Sequence, residues 1–261
     1  MNVLNYLLIA ISINLLMFLF AYKFKTDKLT DLSYALTFIL LTLISFVYSK
    51  YAEFKLILFI MIILWSLRLG IFLFIRIKKI KKDRRFDGIR ENFFRFFQFW
   101  LLQGITVWVI LLPPLIFFSS EIKVSLLSWL GLAIWFIGLT IETISDLQKY
   151  QFNKHNKEDK WISTGLWKYS RHPNYFGEIL CWIGVYLFTF SSLTSIQKIF
   201  ALNSPIFITI LLLFVTGIPK LENYANKKWG KLKEYKEYKR KTSILIPWFS
   251  KKKSQKREIT I

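Results

Sequence analysis

A single cysteine, Cys181, and two histidines, His155 and His172, among 261 residues close off whole classes of chemistry. One thiol builds neither a disulfide framework nor a cysteine-based zinc site. Two imidazoles are too few for most histidine-rich metal sites, so no metal centre is expected. Cys181 lies in an apolar stretch and reads as a small buried side chain. The common nucleotide signatures are missing too, with no G-x-G-x-x-G and no Walker loop, and there is no G-x-S-x-G or H-E-x-x-H. Acidic residues are sparse, 16 against 37 Lys and Arg. Apolar residues are abundant: the chain is 54% hydrophobic, with 26 Phe and 10 Trp.

The apolar residues come in blocks, and a bilayer-crossing helix needs about 20 of them. Seven spans are expected near 3–22, 32–49, 54–77, 96–118, 126–147, 175–190 and 199–219. The 96–118 block is interrupted by Pro113-Pro114, and the 175–190 block is short. Residues 3–22 lack a charged leading segment and a small-residue cleavage pattern, so they are read as a retained helix rather than a signal peptide. The expected fold class is an all-α integral membrane protein of about seven helices. It forms one multi-pass domain over 1–249, with a basic, disordered tail at 250–261.

A net charge of +21 could point to nucleic acid, but the distribution of that charge argues for a membrane. If the chain starts outside and crosses seven times, its inside segments hold three Lys/Arg in 23–28, nine in 76–95, six in 149–171 and 14 in 220–257. The outside segments hold only Lys50, Lys55, Lys123 and Lys198, and Arg68 lies within a span. This is the positive-inside pattern. It places the N-terminus outside and the C-terminus in the cytoplasm, and it leaves the basic loops free to touch anionic lipid. The expected partners are the bilayer and an apolar small molecule. No nucleic acid and no obligate protein partner are inferred.

Three polar clusters are expected at the cytoplasmic face. Glu142 and Asp146 are four apart on one face of the fifth span, with Lys149 a turn later. Simple solvation at headgroup depth accounts for them as well as function does. The string GLWKYSRHPNYFGEIL, 165–180, carries the second cluster. Pro173 suits the first helical position, where a missing N–H costs nothing. That puts Arg171 and His172 at a helix entrance, and Asn174 and Glu178 four apart on the helix behind it. Free N–H groups at a helix start favour anions, and an Arg fork suits phosphate. Glu178, a turn inside the membrane, needs a partner. The third cluster, Glu222 with Arg240, Lys241 and Thr242, reads by itself as a solvated face. It belongs to one charged helix expected from 220 to 241, followed by the apolar return SILIPWF.

The string TGLWKYSRHPNYFGEILCWIGVYLF resembles the signature of the steroid 5-alpha-reductase-like membrane proteins. Their bacterial branch, catalogued as domain of unknown function 1295, is the nearest in pattern. That branch sits in the superfamily of sterol reductases and isoprenylcysteine carboxyl methyltransferases. WSLRLGIFLFIRIKK, FQFWLLQGITVWVILLP, IETISDLQKYQF and YKEYKRKTSILIPW follow the family's order, so the resemblance covers about 60–249. It implies a seven-helix fold around NADPH and an oxidoreductase acting on CH–CH groups. In such enzymes a hydride goes to one carbon of an activated C=C bond and a proton to the other, in a steroid, enoyl or polyprenoid skeleton. By motif, the resemblance implies cofactor contacts at Asp146, Tyr169, Asn174, Tyr175 and Glu178. Arg171 and His172 match the R-H-P of the bacterial and sterol-reductase branches, from which steroid 5-alpha-reductases themselves depart. Some relatives carry a basic residue or His near Glu222, so the tail carries over poorly. Candidates for the catalytic step are His172 and Arg68; an Arg inside a span is a functional candidate by default.

Two other readings stay open. Membrane methyltransferases of the isoprenylcysteine and phospholipid types share R-H-P-x-Y-x-G and use S-adenosylmethionine. A lipid-binding protein could also keep this fold without the chemistry. Heavy use of Lys, Ile, Asn and Phe suits an AT-rich genome, which makes a bacterial inner membrane the expected location.

Overall fold

The computed structural model describes residues 2–79, 86–155 and 160–249. The tail at 250–261 and residues 80–85 of the basic loop lie outside the described residues. Among those described there is no β-strand, and ten α-helices follow one another: α1 Val3–Lys23, α2 Lys28–Val47, α3 Glu53–Lys79, α4 Phe93–Ile110, α5 Leu112–Ser119, α6 Leu126–His155, α7 Pro173–Thr189, α8 Ser195–Ile210, α9 Ile218–Trp229 and α10 Lys233–Lys241. Seven helical segments among the described residues are long and apolar enough to cross a membrane, so the expected fold class and span count hold.

Local chemistry sets the boundaries. The Asn2 carboxamide accepts from Leu4 N and the Asn92 carboxamide from Arg95 N, so each caps its helix start. Pro113 and Pro114 cannot donate to a helix ladder. The 96–118 block therefore stops at Ile110 and restarts as α5. Pro173 opens α7, as its chemistry predicts. The last candidate span runs Ser195–Trp229. Its apolar run ends at a π-turn over Leu211–Val215, however, and α9 places Lys220, Glu222, Lys227 and Lys228 within 12 residues. The membrane-spanning part accordingly ends before α9. The single tail helix expected over 220–241 is instead two, α9 and α10. Gly230 caps α9, its N–H donating to Asn226 O, and the chain turns through 231–232 before α10 begins.

The chain divides into two compact units. The first holds Met1–Trp135 and Trp182–Ile208, the second Phe136–Cys181 and Thr209–Ile261. In the first, a polar knot joins α1, α2 and α4. Asn14 Nδ2 donates to Ala10 O (2.8 Å) and Thr37 Oγ1 (3.1 Å). Gln103 Nε2 meets Asn14 Oδ1 at 2.9 Å, Ser33 Oγ at 2.8 Å and Thr30 O at 3.1 Å. All six residues are buried, and mutual satisfaction offsets the cost of taking amides out of water. A buried ion pair, Arg90 Nη1 to Asp27 Oδ1 at 2.7 Å, ties the loop before α4 to the α1–α2 turn. Phe38, Trp65 and Trp182 meet with ring centroids 5.0–5.8 Å apart.

In the second unit α6 and α7 touch backbone to backbone. A Cβ on Gly138 would lie 2.7 Å from Cys181 N, and one on Gly177 2.6 Å from Glu142 N. Small residues that admit such close approach are the usual solution for helices in lipid. This seam brings the chemistry-bearing faces of α6 and α7 together.

Candidate functional site

The approach of α6 to α7 places Asp146 against Asn174, whose Nδ2 donates to Asp146 Oδ1 at 3.2 Å. Glu142, one turn deeper, is 3% exposed, and Asp146 is 7% exposed. The solvated-headgroup reading of these two carboxylates is therefore wrong: the glycine seam buries both beneath α7. Cys181 is buried as expected, its Sγ 4.0 Å from Glu142 Oε2. Glu178 follows Asn174 by one helical turn and is half-buried.

The R-H-P segment is stitched down by the C-terminal return. Arg171 N donates to Ser243 O at 2.9 Å, and Ser170 Oγ donates to Leu245 O at 2.6 Å. Ser243 Oγ donates to Tyr169 O at 2.8 Å, and Tyr238 Oη donates to Trp167 O at 2.9 Å. Tyr169 turns its ring to Phe249 (centroids 6.0 Å), so it packs on the return segment. Behind Tyr169, Gly165 holds φ +60 with the Gln148 side chain against it, a turn that favours glycine.

The tail also delivers Glu222, which sequence reasoning set aside as a solvated face. Its carboxylate accepts from Arg171 Nη1 at 2.5 Å, from His172 Nε2 at 3.0 Å and from Lys239 Nζ at 3.2 Å. Arg240 and Lys241 do not join this cluster: Lys241 pairs with Glu237 at 2.7 Å, and Arg240 lines a separate shallow cleft. Thr242 Oγ1 bonds Lys168 O at 3.3 Å. At the α7 entrance His172 is a buried group, its side chain 6% exposed. Its ring stacks on Tyr175 at 5.7 Å between centroids.

Burial works against the charge on Glu222. The His172 hydrogen bond and the Arg171 guanidinium outweigh it and hold the carboxyl at about 2. Burial pushes His172 below its ordinary value, and the pull of Glu222 in the other direction does not overcome it. At neutral pH the imidazole is uncharged. Its one proton sits on Nε2, facing the carboxylate, which leaves Nδ1 as a bare lone pair. Nδ1 is buried without a hydrogen-bond partner, and so are Arg171 Nε and Trp161 Nε1.

These groups border a cavity of about 350 Å³ within the second unit. Among the described residues, Lys149, Lys160 and Lys228 reach it, beside Arg171 and the carboxylate of Glu222. Trp161, Trp229, Tyr235 and Tyr238 form its aromatic wall. Trp161 packs edge-on to Tyr235 at 4.9 Å, with Trp229 tilted 6.0 Å away. Lys228 Nζ lies 4.9 Å over the Trp229 ring and Lys149 Nζ 4.9 Å over Trp167. The volume is at the small end of the range for ligand pockets. The four cations that line it among the described residues suit a phosphate-bearing guest. Of the residues singled out in the sequence, Lys149, Arg171, His172 and Glu222 line this cavity. Asp146 and Asn174 pair on the α6–α7 seam, and Arg68 sits half-buried on α3 in the first unit.

Residues 17–242 match the family described as "Protein of unknown function (DUF1295)". An uncharacterized protein of Schizosaccharomyces pombe is 25% identical over 116 residues, which is 36% of this chain and 34% of that protein. The chain thus spans about a third of that relative's length. No solved structure matches. With the family match running from α1 to the end of α10, the chain belongs to the DUF1295 family.

Proposed function

We propose that this protein is a membrane-embedded, NADPH-dependent reductase of an activated C=C bond in a lipid-like substrate. The observation that carries the reading is the cavity of the second unit, where buried polar atoms without partners meet a cluster of cations. The orphaned Arg171 Nε and the lysines fit a guest rich in phosphate oxygens. Lys149, Lys160, Lys228 and Arg171 would hold that guest at its phosphate end. Asp146, Asn174 and Glu178, on the α6–α7 seam, would take amide or hydroxyl groups. Bound NADPH would supply the hydride; the second carbon of the double bond takes a proton. His172 is a poor source for that proton, because its only N–H is engaged by Glu222 and the ring is neutral. A binding role suits it better.

The methyltransferase reading shares the R-H-P motif but fits the charge less well. S-adenosylmethionine carries a sulfonium, which the cations that line the cavity among the described residues would repel. Thermal-shift measurements on the detergent-solubilised protein separate the readings. NADPH should raise the unfolding midpoint and S-adenosylmethionine should not. The reverse result would establish the methyltransferase reading, and no response to either would leave a lipid-binding role.

The same reading puts this site on the cytoplasmic side of a bacterial inner membrane, with the N-terminus outside. Cysteine labelling at positions 123 and 253 should report opposite faces. Labelling from the same face would overturn the seven-span topology.

A further inference from the structure

The phosphate end accounts for the lysines but not for the rest of the cavity wall. His172 Nδ1 carries a lone pair that no protein group meets, on a side chain more than nine-tenths buried. A phosphate oxygen offers it only another lone pair. Trp161 Nε1 has the opposite need, a buried N–H without an acceptor. A buried polar atom left unmatched is costly, so the fitting guest carries donors and acceptors together. An acyl chain carries neither. The flat side chains of Trp229, Tyr235 and Tyr238 line the same cavity, all three packed against the Trp161 ring. Aromatic walls beside cations that track a phosphate are the general means of holding a nucleobase, since every base has a stacking face.

We propose that the aromatic end of this cavity seats the purine of the cofactor. Trp161 and Trp229 provide the stacking surface, and His172 Nδ1 accepts a hydrogen bond from the exocyclic amine. The proposal rests on the NADPH reading and sharpens it. Lys149, Lys160 and Lys228 then serve the phosphates next to the purine. Glu222 acts as a positioning residue: by accepting from Nε2 it fixes the His172 tautomer and keeps Nδ1 open.

The test is equilibrium binding to the full-length protein in detergent, with four probes: NADPH, adenosine 2′,5′-bisphosphate, the hypoxanthine counterpart of NADPH, and reduced nicotinamide mononucleotide. Trp161→Ala should weaken NADPH and adenosine bisphosphate by tenfold or more and leave the mononucleotide unchanged. Trp161→Phe should recover most of the loss, which separates stacking from misfolding. Wild type should prefer adenine to hypoxanthine, and His172→Phe should erase that preference. Unchanged NADPH affinity in Trp161→Ala would overturn the purine seat, and so would equal weakening of the mononucleotide. If wild type fails to bind NADPH, the reductase reading falls by itself. The purine seat then stands if S-adenosylhomocysteine binds in a Trp161-dependent way, and falls if no adenosine compound binds.

Discussion

The two units handle buried polar groups in opposite ways. In the first, strong ones are closed on one another: Asn14 with Gln103 and Thr37, Gln103 with Ser33, and Asp27 with Arg90. Among its buried atoms without a hydrogen-bond partner are hydroxyls on Thr42 and Ser66 and indoles on Trp100 and Trp182. In the second, orphaned atoms of Arg171, His172 and Trp161 belong to residues that border one cavity, with three lysines beside them. A closed network fixes how helices pack in a medium without water. An open one holds binding capacity in reserve. On the proposed function, the contrast separates polar residues that serve the fold from those that serve a ligand, although both look alike in an apolar sequence.

The comparison can be broken most forcibly in the first unit. Arg90→Met leaves Asp27 buried without its main counter-charge. It should cost about 3–5 kcal/mol, read as a large fall in the unfolding midpoint, with NADPH affinity in the surviving folded fraction unaltered. In the second unit, Gly177→Val drives a side chain into Glu142 N and Gly138 O. Overpacking of this kind costs about 1–3 kcal/mol, and here it should weaken NADPH as well, because the seam aligns Asp146 with Asn174. Stability lost with affinity intact would detach the seam from the site. Asn174→Ala and Glu178→Gln should lower NADPH affinity about tenfold with little change in midpoint, as expected for one lost hydrogen bond to a charged group. If both bind normally, they belong to the fold.

A smaller effect comes from pH. Glu222 is held at about 2 against an ordinary 4.5, so its contribution is complete above about 4.5 and is lost as pH falls toward 2. His172 is also depressed, below 6.5, because burial favours the neutral ring. The unfolded chain takes up that proton more readily, so stability declines as pH drops through 6.5. Both groups make the second unit less stable in acid. Midpoints measured from pH 7 to pH 5 should slope downward in wild type and flatten in His172→Gln; parallel slopes would remove His172 as the cause.

Much of the fold was legible because lipid imposes simple rules. Span length, the Pro113-Pro114 interruption and the Pro173 start follow from apolar run length and from the missing proline N–H. Arg171, His172, Asn174 and Glu178 stood out because polar residues crowded at the mouth of an apolar segment demand a reason. The partner of the first two did not stand out. Glu222 lies some 50 residues downstream in a lysine-rich segment whose pattern matches any solvated helix, and nothing in that pattern tells that α9 sets its carboxylate against Arg171 and His172. The Gly230 break between α9 and α10 was likewise masked by continuous helix-forming residues around it. Burial of Glu142 and Asp146 depended on the close approach that Gly138 and Gly177 allow, which no single-helix pattern reveals.

The most direct test of the contrast pairs one substitution from each unit. NADPH dissociation constants and unfolding midpoints should be measured together for wild type, Arg171→Ala and Gln103→Leu. The account predicts that Arg171→Ala weakens NADPH at least tenfold, while Gln103→Leu lowers the midpoint and leaves the dissociation constant unchanged. Unaltered NADPH binding in Arg171→Ala, or equal weakening in both variants, would contradict it.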